Sequence, residues 1–371
     1  LKALHIATLN SASSNIGVVR QMQYELDAAR RLKIDWDVQL WAGDTLAGFD
    51  FIQTYPESVK SRLSRRLFFS RILRSVSAHY DVVVLRYMPG DLFLPFFRSS
   101  GARVFFVSHS NEVASVRGVF PGAKGIVLSG IERILGRASL KCANGIIGVT
   151  PELVKLKLAQ CGRADFDRLS MLNYVYPNGI DYRSFDLVGD ERSGKVKIAF
   201  VASTFFSWHG LSLILVSLKE FQGKNEVELH LVGEVLPHDK ALINSLGLAE
   251  NVFIHGKLNL STLRDRLSAM DVGLASFGLG EAGVNEACTL KVREYLAAGV
   301  PVYSGHRDIG LPVDFDFYRL GEADVSKIYK YACEMRSATR GQVRNSSQEY
   351  IDKEALLRGL HGWLFSSVKG A

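Results

Sequence analysis

At 371 residues, with 47% apolar and 22% charged residues, the chain has the composition of a soluble globular protein and room for two domains. No apolar run approaches the ~18 residues of a membrane span. The four cysteines, Cys142, Cys161, Cys288 and Cys333, lie far apart without a Cys-x-x-Cys, which argues against a zinc ribbon or disulfide framework and fits a reducing cytoplasm. The net charge of +7 is uneven: residues 1–178 hold 23 Lys+Arg against 14 Asp+Glu, and the remainder 22 against 24. A basic first half points to an anionic partner there.

Residues 2–8 read as a strand, so no signal peptide is expected, and a start at Leu1 implies a short missing native N-terminus. A polar loop follows over 9–17, then a helix over 18–32 and a strand over 37–41. Gly17 would let the backbone approach a bound group closely. The loop has no G-x-G-x-x-G, which argues against a dinucleotide site. Over 59–76, Val59, Leu63, Leu67, Ile72 and Val76 recur at helical spacing among Lys60, Arg62, Arg65, Arg66, Arg71 and Arg74. Such a basic amphipathic helix either lies on an anionic membrane or packs its stripe on the core. Strands are expected over 81–86 and 102–108. His109 stands just past the second, where sites of α/β proteins form, with Asn111 and Glu112 as weaker candidates beside it. A helix over 126–141 and a strand over 145–149 follow. Thr150 and Pro151 then open another helix as cap and first residue.

Pro177-Asn178-Gly179-Ile180-Asp181 is a turn by its chemistry, and 186–194 reads as linker. A second set of alternating elements begins with a strand over 195–202, the loop Ser203-Thr204-Phe205-Phe206-Ser207-Trp208-His209-Gly210 and a helix from Leu211. Further strands are expected over 228–233, 252–256 and 271–276, then a glycine loop over 277–283. A helix over 290–298 is stopped by Gly299, and a short strand spans 300–303. One or two helices close the chain over 348–365. This order places a helix N-terminus at the carboxyl end of a parallel sheet, where phosphates bind. Glu286 and Glu294 flank Lys291 there: Glu294 suits a ribose diol, Lys291 a diphosphate, Glu286 the hydroxyls of the group the phosphates carry. Gly278-x-Gly280-x-x-Gly283 matches a dinucleotide fingerprint formally. However, Glu281 would set a carboxylate beside the pyrophosphate, and the ribose acid about twenty residues on is absent.

Glu286-x7-Glu294 followed by Tyr-Leu-Ala-Ala-Gly-Val-Pro-Val resembles the donor-site signature of retaining GT-B glycosyltransferases of the family-4, glycogen-synthase-like type (glycosyl transferases group 1). Pro177 to Asp181 is similar to that family's inter-domain junction. The resemblance implies an α/β fold of two Rossmann-like domains facing a cleft: an acceptor domain over 1–178, and a donor domain over 179–349. A C-terminal helix, about 350–371, crosses back to the first domain. It implies a UDP- or GDP-sugar as substrate, no cofactor and no metal, and a lipid-linked or polysaccharide acceptor. Anionic-membrane contact through 59–76 on the cytoplasmic face accompanies this reading, and no nucleic acid is expected. Its residue roles carry over as catalysis by His109, Glu286 and Lys291. Nucleotide-sugar binding falls to Gly17, Ser203, Thr204, His209, Gly210, Thr289, Leu290, Lys291 and Glu294. The chain departs from the family pattern at Cys288, Thr289, Lys291 and Arg293, where apolar residues are commonest. His209-Gly210 also stands at the usual Lys-Gly place, which shifts phosphate binding toward Lys291, Ser203, Thr204 and backbone N–H groups. A nucleotide-sugar epimerase or hydrolase, or a non-catalytic sugar-nucleotide-binding module, are the alternatives on the same fold.

Overall fold

The structure, a computed structural model, describes residues 1–120, 122–185, 187, 189–192 and 194–369. It divides into two compact units, Leu1–Gly179 with Lys353–Ala371, and Ile180–Asp352.

In the first unit, β1 (Ala3–Thr8), β2 (Trp36–Ala42), β3 (Ile52–Thr54), β4 (Val82–Arg86), β5 (Arg103–Ser108), β6 (Gly145–Gly148) and β7 (Asn173–Val175) form one parallel sheet. Its order is β3-β2-β1-β4-β5-β6-β7. The central strands are apolar almost without interruption because helices cover both faces. Val82, Val84, Phe105 and Val107 point to one core cluster and Val83, Leu85, Val104 and Phe106 to the other. The helices are α1 (Ile16–Leu32), α2 (Arg62–Val76), α3 (Glu112–Val119), α4 (Ala123–Leu140), α5 (Pro151–Gln160) and α6 (Arg163–Met171). The C-terminal helix, Lys353–Lys369, joins this unit by laying Leu357, Leu360 and Leu364 into the first cluster. Its first residue reaches a buried polar knot. Glu25 takes the His5 imidazole at 2.7 Å, the Trp36 indole at 2.9 Å and the Tyr176 hydroxyl at 3.1 Å, with the Lys353 ammonium 3.8 Å away. Burial alone would raise its carboxyl pKa; His5, then Lys353 and Trp36, outweigh that and hold it at about 2.

In the second unit, the six-stranded parallel sheet has the order β10-β9-β8-β11-β13-β15. Its strands are β8 (Val196–Thr204), β9 (Val227–Glu234), β10 (Val252–Gly256), β11 (Val272–Leu274), β13 (Val302–Ser304) and β15 (Tyr318–Leu320). Two short strands, β12 (Glu286–Ala287) and β14 (Arg307–Asp308), pair separately. The helices are α7 (Leu211–Glu220), α8 (Pro237–Ser245), α9 (Leu260–Leu267), α10 (Leu290–Ala297), α11 (Val325–Met335) and α12 (Arg340–Ile351). Tyr295 locks α10 onto the sheet. Its hydroxyl accepts the Val201 N–H at 2.8 Å and donates to the Leu274 carbonyl at 3.2 Å. Gly273 makes room for that ring, since a Cβ there would stand 2.4 Å from a ring carbon.

Several local expectations change. Strand β8 runs on through Ser203 and Thr204, which were expected in a loop. Helix α1 starts at Ile16, so Gly17 lies in its first turn rather than in the loop before it. Glu286, between the expected glycine loop and helix, lies in the short strand β12. Ser61 caps α2, which begins three residues later than its apolar spacing suggests. Positions 186, 188 and 193 of the expected linker lie outside the described residues. Among the described residues, no helix is long and apolar enough to cross a membrane.

Candidate functional site

The N-terminus of α10 is electrostatically unfinished. Thr289 is its cap, yet the side chain makes no capping bond and Oγ1 is buried without a partner. The first turn contains no acid, although a helix N-terminus favours one. It carries Lys291 instead. The Lys291 ammonium is buried with no hydrogen-bond partner among the described residues, 5.5 Å from the centre of the Phe200 ring. Burial pushes its pKa down to about 7, against the pull of Glu294. Glu294, one turn along, is itself buried.

Three loops meet beside this turn. Phe277 N–H donates to the His209 carbonyl at 3.0 Å, Gly278 N–H to the Trp208 carbonyl at 3.1 Å, and Gly305 N–H to the Ser276 carbonyl at 3.2 Å. Gly210 sits at φ +74°, and a Cβ there would come within 2.9 Å of the Phe277 Cβ. Its glycine therefore meets both a left-handed backbone and a close approach. His209 Nδ1 accepts the Phe206 N–H at 3.1 Å, so the neutral ring carries its proton on Nε2. Burial, then the Lys291 charge, lowers its pKa to about 3.

His306 was not singled out in the sequence. It lies just past β13, the same kind of position that drew attention to His109. Its Nδ1 stands 3.0 Å from the Ser276 carbonyl, to which it donates, and 2.9 Å from Ser304 Oγ. That leaves Nε2 as a buried acceptor with no partner. Burial depresses its pKa, and the Lys291 charge adds to this. Beneath the turn, fully buried Arg293 grips Asp308 with two nitrogens, one at 2.8 Å. Asp308 also accepts the Gly310 N–H at 3.0 Å and lies 3.6 Å from the Cys288 sulfur. Arg293 and Cys288 thus have structural tasks. They fasten β14, and through it Glu286, which pairs with Arg307, to the base of α10. Burial, then Asp308, raises the Cys288 thiol to about 12, which makes it unreactive.

Thr204 Oγ1 donates to Glu234 at 3.2 Å, and Glu234 also takes Lys257 at 2.8 Å; Ser203 is exposed at the same strand end. The second unit therefore brings His209, Gly210, Thr289, Leu290, Lys291 and Glu294 to one place, adds His306, and leaves Thr204 engaged elsewhere.

In the first unit, His109 has a buried Nε2 without a partner. Its pKa lies well below the usual value through burial, then the charge of Arg86. Its neighbours are spent on the scaffold. Asn111 Oδ1 caps α3 by accepting the Ala114 N–H, and Glu112 accepts Ser108 Oγ at 3.1 Å and pairs with Lys157 at 2.8 Å. On α2, Arg66 is not at the surface. It pairs with Asp91 at 3.0 Å and donates to the Pro89 carbonyl at 3.1 Å. Leu63 and Leu67 of the apolar stripe are exposed, at 56% and 38%.

No family model and no curated relative matches the chain. Solved structures match it over its whole length. Sucrose-phosphate synthase from Thermosynechococcus elongatus shares 15% identity at a TM-score of 0.67, covering 100% of both chains. The lipopolysaccharide outer core galactosyltransferase WaaB, in its apo form, shares 11% at 0.66, covering 99% of this chain and 100% of that one. Anabaena HepE, in complex with UDP, shares 13% at 0.65 over 99% and 100%. The chain has the GT-B fold. In that fold the α10 turn stands at the carboxyl ends of β11 and β13, and His109 at that of β5.

Proposed function

We propose that this chain is a metal-independent glycosyltransferase that moves a sugar from a nucleotide-sugar to a lipid-linked or polysaccharide acceptor with retention of configuration. One observation carries the donor half. Thr289 Oγ1, Lys291 Nζ and His306 Nε2 are all buried without hydrogen-bond partners, around a helix N-terminus that holds a cation and no acid. Unpaired buried polar groups are costly, and a diphosphate sugar supplies what they lack. Its phosphate oxygens meet Lys291, Thr289 and the backbone N–H groups of the first turn. A sugar hydroxyl meets the acceptor nitrogen of His306. His209 presents its N–H where the family has a lysine. Glu294 takes the ribose, and Glu286 the transferred sugar. His109 serves the acceptor side.

In the retaining course the C1–O bond to the diphosphate breaks and the acceptor oxygen attacks C1 from the same face. The acceptor proton passes to the departing phosphate oxygen, so no protein base is required. Lys291 and the first-turn N–H groups act where negative charge grows, on the leaving group. Lys291→Ala accordingly lowers turnover more than it weakens ground-state donor binding.

Thermal-shift and calorimetric titration with UDP, GDP and NADH tests the reading. UDP or GDP is expected to stabilise the wild type, NADH not, and Lys291→Met to remove the gain. Stabilisation by NADH alone overturns it. Turnover is expected to continue in EDTA, and proton NMR of the fresh product is expected to show the donor's anomeric configuration. A membrane location is proposed for α2, where Arg62, Arg71 and Arg74 flank exposed Leu63 and Leu67. Phe96, 76% exposed, lines the same groove as Leu67, Arg71 and Arg74.

A further inference from the structure

The first unit has a cavity of about 380 Å3 between α4, α5 and the segment after β5. That is the lower part of the range for small-ligand sites, room for about one substituted monosaccharide. Its lining includes Ser108, Ser110 and Asn111, on either side of His109 in the chain. Four charged side chains line it: Arg133 and Arg137 of α4, Lys157 of α5, and Glu112 of α3. Lys157 and Glu112 neutralise each other at 2.8 Å. Arg133 and Arg137, one helical turn apart, make no side-chain hydrogen bond or ion pair among the described residues. The cavity is therefore positive by two charges, carried by two guanidinium groups with their donors free.

The cavity is built rather than left over. Gly136 lies between the two arginines, and a Cβ there would stand 2.1 Å from the Gln160 side-chain nitrogen. Its absence lets Gln160 cross to the Glu132 carbonyl, at 3.3 Å, and close one wall. Gln160 also takes the Lys157 ammonium at 3.4 Å, so the wall is tied to the buried ion pair.

Guanidinium groups spaced one turn apart suit the oxygens of a phosphate or carboxylate. We infer that the acceptor saccharide is acidic, and that Arg133 and Arg137 hold its phosphate or carboxylate in this cavity. This rests on the acceptor half of the proposed function, since Ser108 and Ser110, which flank His109 in the chain, line the cavity. It narrows the acceptor class to sugars bearing a negative substituent.

The test uses the intact chain with saturating UDP present, so that the second unit's anion site is occupied. Glucose 6-phosphate, glucuronic acid and glucose are titrated by calorimetry, and hydrogen exchange locates the response. One or both acids are expected to bind and to slow exchange over 108–113 and 133–161. Binding of only one acid names the substituent. Glucose is expected to bind at least roughly tenfold more weakly, the scale of losing one hydrogen bond to a charged group. The double variant Arg133→Gln/Arg137→Gln should lose at least that factor for the acids. Arg133→Lys/Arg137→Lys should keep part of the affinity, because charge remains. Both arginines are exposed, so UDP affinity and melting temperature are expected to match wild type. Glucose binding as tightly as the acids, protection confined to 180–352, or unchanged affinity in the Gln variant overturns the inference. Failure of UDP to bind wild type counts against the donor reading instead and leaves the footprint of the acids standing by itself.

Discussion

Each unit buries a lysine near the carboxyl ends of its strands, and the two are treated in opposite ways. Lys157, 3% exposed, has Glu112 at 2.8 Å and lies 3.7 Å over the Tyr87 ring. Lys291 has no hydrogen-bond partner: it lies 5.5 Å from the Phe200 ring centre, and the Glu294 charge reaches it without a hydrogen bond to its ammonium. A buried cation with its carboxylate is part of the scaffold, because removing either leaves the other stranded. A buried cation with no carboxylate in hydrogen-bond reach is a receptor, because the partner its N–H groups lack must come from outside the chain.

The sharpest way to break this comparison is to remove both cations. Lys157→Met should destabilise the first unit by about 3–5 kcal/mol, since Glu112 is left buried and unpaired. Lys291→Met should cost far less at pH 7, because it breaks no hydrogen bond and removes only the longer-range attraction to Glu294. Urea unfolding of the two variants measures both, and an equal loss would remove the distinction. The pH dependence carries the same sign. The Lys291 pKa is depressed from 10.5 to about 7, so between those values the unfolded chain holds a proton that the folded chain does not. Stability should rise with pH across that window, and the rise should be smaller in Lys291→Met.

Next in size is Glu294→Ala. It should weaken UDP or GDP binding by about 1.5–3 kcal/mol, the range for hydrogen bonds to a charged group; unaltered affinity in calorimetry takes Glu294 out of the site. Gly210→Ala tests whether the three loops support the receptor. A left-handed backbone at φ +74° and the Phe277 contact should together reduce stability by about 1–2 kcal/mol. Donor affinity should fall with it, as His209 moves. Smallest per residue is the membrane term. Replacing Arg62, Arg71 and Arg74 by Gln should weaken binding to anionic vesicles by roughly 1 kcal/mol each and leave UDP binding intact. Wild-type protein that ignores such vesicles at low salt sinks this part of the proposal. Arg66 is left out of the set because it is committed to Asp91.

The sequence by itself determined the two α/β units, the parallel strands and the place of the α10 N-terminus. Those follow from local periodicity, turn chemistry and the stop at Gly299, all legible within a dozen residues. Lys291 was also legible, as a charge suited to a diphosphate at that helix start. Only the tertiary structure decided which charges are spent and which are open. Arg293 meets Asp308 fifteen positions away, Arg66 meets Asp91 twenty-five away, and Lys157 meets Glu112 forty-five away. No local pattern announces such partners. His306 was missed for the same reason: its Nδ1 is held by Ser276, thirty positions back on another strand's end. Arg133 and Arg137 lie within the helix expected over 126–141, and it is α5 that supplies the wall opposite them. Periodicity tells which face of an element is buried, but a group's charge state and availability depend on what packs against it, and that is settled by residues distant in the chain.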